Sequence, residues 1–567
     1  MAQRLVPGLL LVSLWTLGAC TEQTISLGPG HGPREAPPPP VSTPGQPSPL
    51  PTPLTGGTDA TVGHPLTSGA PVLYCKPGSS KACYDGPSGT ELVGACSAGI
   101  KTCNASGESY GHCEGQVRPI AETCGAQVDD NCDGIADCTG DLLWSASFGD
   151  GETQESLGVA VDDTGNILLT GSFDGAFELG QNHLSSKGGD VFLVKLDPGG
   201  TAIFSKRFGD NTAQVPAGVA ADTHDNVILA GSFTGVMDLG SGPLASTVGK
   251  DVFLAKYDPT GGLIFAKRFG DSFDQQCRAI ATDRADDIAL TGTMYGTIDF
   301  GGGPLADMGH DVFVAKLGPA GEHLFSKRFG DESLQDGLGV TFDSQGNVLV
   351  SGRYAGSLDF GGGPLPAGTT SIRAFVAKLD AADGHHLWSA GFGDGGATAA
   401  ATAVAVDSHG DVLVTGWFSG TIDFGGGPLV SAGGADIFLL KLDGMTGQHR
   451  QSSRFGDDVD QQGLSLVIDG ADNAILAGTF YGALDFGLGA LKSPGGSNGF
   501  LLKIDPAGKP VWNRRFGDHK SARALSTAVA NTGEVLVTGS FEGDADFGGG
   551  ALMSAGMSDG FVAKYRP

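Results

Sequence analysis

From residue 141 onward the chain alternates apolar and polar residues in short runs, four to a group, and the group repeats seven times. In the first copy the runs are Gly158–Val161, Asn166–Phe173, Asp190–Leu196 and Thr201–Phe208, bounded by Gly, Asn and Asp. Alternation over so few residues, with Val, Ile and Phe prominent, is the pattern of half-buried β-strands. A turn such as Asp162-Asp163-Thr164-Gly165-Asn166 joins the first two runs as a hairpin. Each group closes on Phe-Gly-Asp, beginning at Phe148, Phe208, Phe269, Phe329, Phe392, Phe455 and Phe516, at intervals of 60 to 63 residues. Four antiparallel strands repeated seven times predict an all-β fold, a seven-bladed β-propeller.

The ends of the repeat array support closure. Leu142–Phe148 reads as a fourth strand without its first three, and the last copy stops at Pro567 after a third strand. The two fragments complete one blade, which removes the exposed sheet edges that an open array would carry. Where blades converge on the axis the first strand should be small-residued, as Ala160, Ala220, Ala281 and Ala405 are. The outer strand has room for Trp144, Phe204, Phe265, Phe325, Trp388 and Trp512, with Gln451 the exception. The copies resemble the bacterial β-propeller repeats called SBBP over nearly all of 141–567, and the resemblance implies a repeat protein of the bacterial cell surface.

Composition changes the picture mainly at the amino end. Arg4 precedes the apolar run Leu5–Leu17, too short for a comfortable membrane span, and Leu17-Gly18-Ala19-Cys20 follows. The run reads as a signal peptide, and its end resembles the lipobox of bacterial lipoproteins. That resemblance implies cleavage before Cys20 and diacylation of its thiol, against the plainer alternative of an ordinary secretion signal. Thr21 in place of Asp favours the outer membrane. The expected organisation is a leader (1–19), a tether rich in Pro, Gly, Ser and Thr (20–73), a Cys-rich module (74–140) and the propeller (141–567). Polyproline stretches such as Pro37–Pro40 keep its residues 28–72 extended, with a reach of at most roughly 140 Å.

Eight of the ten cysteines fall in the small module: Cys75, Cys83, Cys96, Cys103, Cys113, Cys124, Cys132 and Cys138. With little apolar material for a core, disulfides in an oxidising compartment are the expected substitute, and eight cysteines allow 105 pairings. Within it, Asp129, Asn131, Asp133 and Asp137 place side-chain oxygens at alternate positions around Gly134, the spacing of a short calcium loop. The twelfth position is Gly140 rather than a bidentate Glu, so an acidic turn held by cysteines is the competing reading. The stretches Cys83–Pro87, Gly94–Cys96 and Glu122–Asp137 resemble the Cys-rich, metal-binding module of the MopE type in bacterial surface proteins. Ca2+ is therefore the one expected cofactor, and no organic cofactor is expected.

Candidate binding residues are sought where the copies differ. Gln154, Gln214, Gln275, Gln335 and Gln461 follow the Phe of five copies by six residues, while Thr398 and Ala522 replace them in the other two. The loop carrying them should cross the face that holds the central pocket. At the end of the second strand, adjacent copies place Arg353 and Trp417 where five others have Gly-Ser or Gly-Thr, and such a pair could grip an acidic or sugar-like ligand. The Asp of Phe-Gly-Asp is expected to cap a turn or bond a neighbouring blade. A net charge of −29 argues against a nucleic-acid partner. No nucleophile, base and oxyanion pattern stands out, and the sialidase box and kinase loops are missing. The expectation is a noncatalytic, lipid-anchored envelope protein that presents its propeller to a protein or glycan. The alternative is a secreted propeller hydrolase, lyase or quinoprotein-like enzyme.

Overall fold

The computed structural model describes residues 75–86, 91–92, 96–118, 140–179, 182–186, 188–393 and 396–567. Within 141–567 seven four-stranded antiparallel sheets surround an axis, as the repeat predicts. Blade one consists of Gln154–Val161, Ile167–Phe173, Asp190–Leu196 and Ala202–Phe208, in that order from axis to rim. The first strands of successive blades contact one another all the way round, from Gln154–Val161 to Ala522–Val529 and back. The closing blade pairs Leu142–Phe148 with Asp559–Tyr565, so its fourth strand comes from the opposite end of the array.

Two features of the blades were not expected. The first strand is twice as long as its apolar signal, because a β-bulge interrupts the alternation. In blade one the register slips between Ser156 and Gly158, and the same slip recurs in every blade. Gln154 is therefore the first residue of that strand, not part of a loop. A short accessory hairpin also leaves the blade between strands two and three, such as Thr421–Asp423 paired with Pro428–Val430. Its Asp-Phe-Gly turn is held by the carboxylate: Asp299 Oδ1 accepts the amides of Gly301 (2.7 Å) and Gly303 (3.1 Å). The Phe300 ring then lies 4.8 Å from Phe269 and 5.3 Å from Phe313, which packs the hairpin onto the blade.

The third strands are buried along most of their length, yet each carries a Lys. Lys195 stands 2.8 Å from Asp162, and the two side chains are 1% and 0% exposed. The pair recurs as Lys256–Asp222, Lys378–Asp343, Lys441–Asp407 and Lys503–Asp469, and Lys316 is shared by Asp283 and Asp287. In blade seven Ala530 fills the position expected for an acid, one residue before Asn531, and Glu534 serves Lys564 at 3.6 Å. Several of these ammonium groups also donate to a carbonyl of the next blade, as Lys256 does to Pro319 (2.9 Å) and Lys378 to Gly444 (2.8 Å). Burial pushes the Asp222 carboxyl upward. Lys256, Asn226 and the turn amides outweigh it and hold the group below the usual range.

The outer aromatics act between blades. Trp388 packs over Gly447 of the next blade and donates its indole N–H to Gly444 O at 3.1 Å. Trp144, Phe204, Phe265 and Phe325 meet Gly200, Gly261, Gly321 and Gly384 in the same way. These glycines sit in the turn between strands three and four with positive φ, 70° at Gly447, where a Cβ would strike the ring. Trp512 meets Gly140, which stands where the seventh blade has no covalent turn. Gly140 N bonds to Arg566 O and Arg566 N to Asp141 O, so hydrogen bonds complete the break between the chain ends.

In the Cys-rich part, Ser80–Cys83 pairs with Gly99–Thr102, and disulfides join Cys75 to Cys103 and Cys83 to Cys113. Cys96 is disulfide-bonded as well. Cys20, Cys124, Cys132, Cys138, Asp129, Asn131, Asp133 and Asp137 lie outside the described residues.

Two stability outcomes follow from these contacts. Deleting 141–150 removes the closing strand and should lower the melting temperature sharply, whereas an unchanged melting curve would refute closure by the terminal strands. Lys256→Met strands a buried carboxylate and should cost about 3–5 kcal/mol. Adding Asp222→Asn should restore part of that loss in urea unfolding.

Candidate functional site

The two faces of the ring have different chemistry. On one, the outer strand returns to the next inner strand through Phe-Gly-Asp. On the other lie the turns between strands one and two and between strands three and four.

On the first face the expected ligand residues serve the turn. Asp150 accepts the Glu152 amide (2.9 Å), the Ala176 amide of the accessory hairpin (2.6 Å) and the Gln154 side chain (2.7 Å). Gln154 also donates to Asp174 O at 2.8 Å. Burial pushes Asp150 upward, but these bonds outweigh it and its carboxyl sits below the usual range. Asp210, Asp271, Asp331 and Asp457 repeat the arrangement with Gln214, Gln275, Gln335 and Gln461. All five Gln are 0–1% exposed, so their amides are enclosed in the turn and present nothing to an external ligand. The Gly of the motif has its own reason. An added Cβ at Gly270 would stand 2.2 Å from Asp251 Oδ1, the buried acid of the third strand.

Arg353 is likewise engaged. Its Nε and Nη2 both reach Asp336 Oδ2 at 2.7 Å, and Asp336 is itself buried. Trp417 is half-buried on the second strand of blade five, and among the described residues no cation–π contact joins it to Arg353. The two are thus not assembled into one grip.

The large opening lies at the other end of the strands. The turns of blades one to five wall a funnel of about 940 Å3, lined by Asp163, Thr223, Arg284, Ser344 and Ser408 at one repeated turn position. The turn backbone is held the same way in these five copies. Asp162, Asp222, Asp283, Asp343 and Asp407 each accept the amide two residues on, through Oδ1. Where the fourth turn residue is Asp, it ties neighbouring turns together. Asp286 Oδ1 accepts the Thr223 amide (2.9 Å), and Asp472 Oδ1 that of Ser408 (2.8 Å). Asp225, Asp286 and Asp472 pay for this with positive φ (60°, 64° and 62°), a region Asp tolerates better than most side chains. Arg284 has no such partner, because Gly346 occupies that place in blade four, and it stays exposed without an ion pair among the described residues.

Among the described residues two groups could hold a metal ion: Asp222, His224 and Asp286, and Asp380, Asp383 and His385. In the first, Asp222 is paired with Lys256 and His224 bonds Asp286 at 2.8 Å, so the donors already satisfy one another. In the second, His385 bonds Asp383 at 2.7 Å on the surface. Cys277 is buried and its thiol is pushed up to about 12 by burial, so it stays protonated.

No protein-family model matches the chain. A curated relative, an uncharacterised WD repeat-containing protein of Acanthamoeba polyphaga mimivirus, is 21% identical over 533 residues. That match takes in 75% of this chain and 38% of the viral protein, so the chain spans well under half of its relative's length. Among solved structures, the Dos1 propeller overlaps 75% of this chain and 95% of its own at 10% identity and a TM-score of 0.38. The quinohemoprotein alcohol dehydrogenase of Comamonas testosteroni overlaps 75% and 76% at 11% identity and a TM-score of 0.36. These overlaps carry no functional argument. The molecule is a seven-bladed β-propeller of four-stranded antiparallel blades.

The repeat is least regular around one buried acid. Blades one, two, three and five pair an Asp of strand three with an Arg of strand four: Asp190–Arg207, Asp251–Arg268, Asp311–Arg328 and Asp436–Arg454. Blade seven keeps Asp559, 3% exposed, but has Ser147 in place of the Arg. Asp559 Oδ2 accepts the Ala555 amide at 3.0 Å, while Oδ1 has no partner. Burial, reinforced by the nearby Asp150 charge, raises its carboxyl above the usual 3.8. A raised native value means that the ionised form costs stability. The cost is absent below about 3.8, grows as pH rises toward the native value and is complete above it. Asp559→Asn should therefore raise the melting temperature at pH 7, with the gain over wild type shrinking as pH falls toward 4. Ser147→Arg should give a smaller gain, because burial keeps Asp251 and Asp436 raised even beside Arg268 and Arg454.

Proposed function

We propose that this chain is a noncatalytic, lipid-anchored protein of the bacterial envelope whose propeller holds a protein or glycan partner at the funnel on its turn face. The observation that carries this reading is the funnel itself. One backbone turn, fixed by a paired Asp, is presented five times around an opening of about 940 Å3. The position facing the opening changes chemistry from copy to copy: Asp163, Thr223, Arg284, Ser344, Ser408. Rigid, repeated backbone with variable decoration suits recognition of an extended surface. The viral relative's description as a WD repeat-containing protein is compatible with a binding scaffold.

The finer parts rest on resemblance. The SBBP-like copies and the lipobox-like Leu17-Gly18-Ala19-Cys20 favour a bacterial surface lipoprotein anchored through Cys20. In this reading Asp129, Asn131, Asp133 and Asp137 of the MopE-like module offer four side-chain oxygens, a donor set suited to Ca2+.

Crosslinking on intact cells followed by purification of the anchored chain tests the reading. The wild type should recover a defined partner, Arg284→Glu with Ser344→Glu should lose it, and Cys20→Ala should release the chain from membranes. Equal recovery by the funnel variant would remove the funnel from the proposal.

A further inference from the structure

The bulge in each first strand has a consequence at the axis. The bulged residue of every blade lines the central channel: Leu157, Ala217, Arg278, Leu338, Thr402, Leu464 and Leu525. The channel holds about 310 Å3, and its remaining wall is the glycines, alanines and aliphatic residues next to the bulges, with Ser465 and Ser526. Those two hydroxyls are engaged. Ser526 accepts the Val159 amide (3.2 Å), and Ser465 accepts that of Thr527 (3.0 Å). Thr402 donates to Gly463 O at 2.7 Å. Arg278 is thus the single charged group in the channel wall.

Its isolation is uncommon among the arginines of the ring. Acidic residues outnumber basic ones 63 to 34, and most of those arginines reach a carboxylate or a carbonyl, as Arg207, Arg268, Arg353 and Arg373 do. Arg278 is exposed to the channel and has no ion pair or side-chain hydrogen bond among the described residues. The fold does not need a cation there, because four other blades place Leu at the same position. An unpaired guanidinium facing Leu157, Leu338, Leu464 and Leu525 is the complement of a molecule with one negative head and an apolar body. A guanidinium binds a carboxylate through two parallel hydrogen bonds. The volume sits at the lower end of the range for small-molecule sites.

We propose that the central channel is a binding site for a small organic monocarboxylate, with Arg278 holding the carboxylate and the leucines of the opposite bulges covering its hydrocarbon part. The channel shares no lining residue with the partner-binding funnel, and the assignment does not depend on that reading.

The probe is octanoate, titrated calorimetrically into the full chain, with octylamine and 1-octanol as controls of matched length. Octanoate should bind the wild type and the two controls at least tenfold more weakly. Arg278→Leu copies the residue of four other blades and Arg278→Ala that of blade two. Each should keep the wild-type melting temperature in the absence of ligand and lose octanoate affinity by at least tenfold. Octanoate bound equally well by either variant, octylamine bound as tightly as octanoate, or no octanoate heat from the wild type at millimolar concentration would each overturn the assignment.

Discussion

A lysine ammonium with almost no contact with water is the constraint on which the ring depends. The third strand of each blade is buried on both faces, and a charge there is tolerated only when it is paired and hydrogen-bonded. The partner is the Asp that opens the turn between strands one and two. The pair therefore sets the inner hairpin against the middle of its own blade. The ammonium protons left over reach a carbonyl of the next blade, as at Lys256 and Lys378, so the same charge also sets the spacing between blades. Blade seven shows what is being held constant. Ala530 stands where the acid belongs, and Glu534 supplies a carboxylate from four residues later. The requirement is one negative charge within reach of the Lys, not an Asp at one place.

The opposite face is held by polar groups of another kind, and its irregularities are coupled in the same way. Phe-Gly-Asp needs Phe for the blade core, Gly because a buried acid lies against its backbone, and Asp to gather the amides of the turn and the accessory hairpin. Blade four replaces the Asp of strand three with Arg373 and the Arg of strand four with Gly391, so both members change together. Blade six uses Asn498, which needs no cation. In blade seven the Arg is lost while the acid is kept, and this occurs where the two ends of the repeat array are joined. The least compensated charge of the ring thus lies on the seam that covalent structure does not close.

Much of this architecture could be read from residue order. The number of blades, the third strands and the closing strand Leu142–Phe148 follow from alternation and from the orphaned fragments, because pairing and burial impose a period of two. The first half of each inner strand was hidden by the bulge, which shifts side chains to the other face in mid-strand. The accessory hairpins were hidden because strands of two to four residues between glycines leave no periodicity. The candidate sites were less legible. Gln154 and its equivalents differ from the two remaining copies as a binding residue would, yet the difference tracks a hydrogen-bonding partner inside the turn. Arg353 stood out beside Trp417, but its nearest relation is Asp336 on the paired strand, which only the register reveals. The Lys–Asp pairs went unread because a Lys within an apolar run looks like an edge feature until both neighbours of its strand are known.

What a ligand can recognise in a nearly symmetric ring is the departure from symmetry that packing does not explain. By that measure blade three is distinctive. Arg278 and Thr282 are four residues apart on its inner strand, about 13 Å at the rise of a β-strand. Arg284 lies two residues beyond Thr282, at the wall of the funnel. Neither arginine has an acidic partner, although the turn face around them is rich in carboxylates. Apart from Asp163, the acids named there are occupied: by the buried lysines, by the amides of their own turns and by the amides of the next turn. Charge that is already satisfied shapes the surface but does not select an occupant. Charge left unsatisfied on a rigid wall does, and in this ring the two such groups of blade three stand along one path, from the funnel down to the axis.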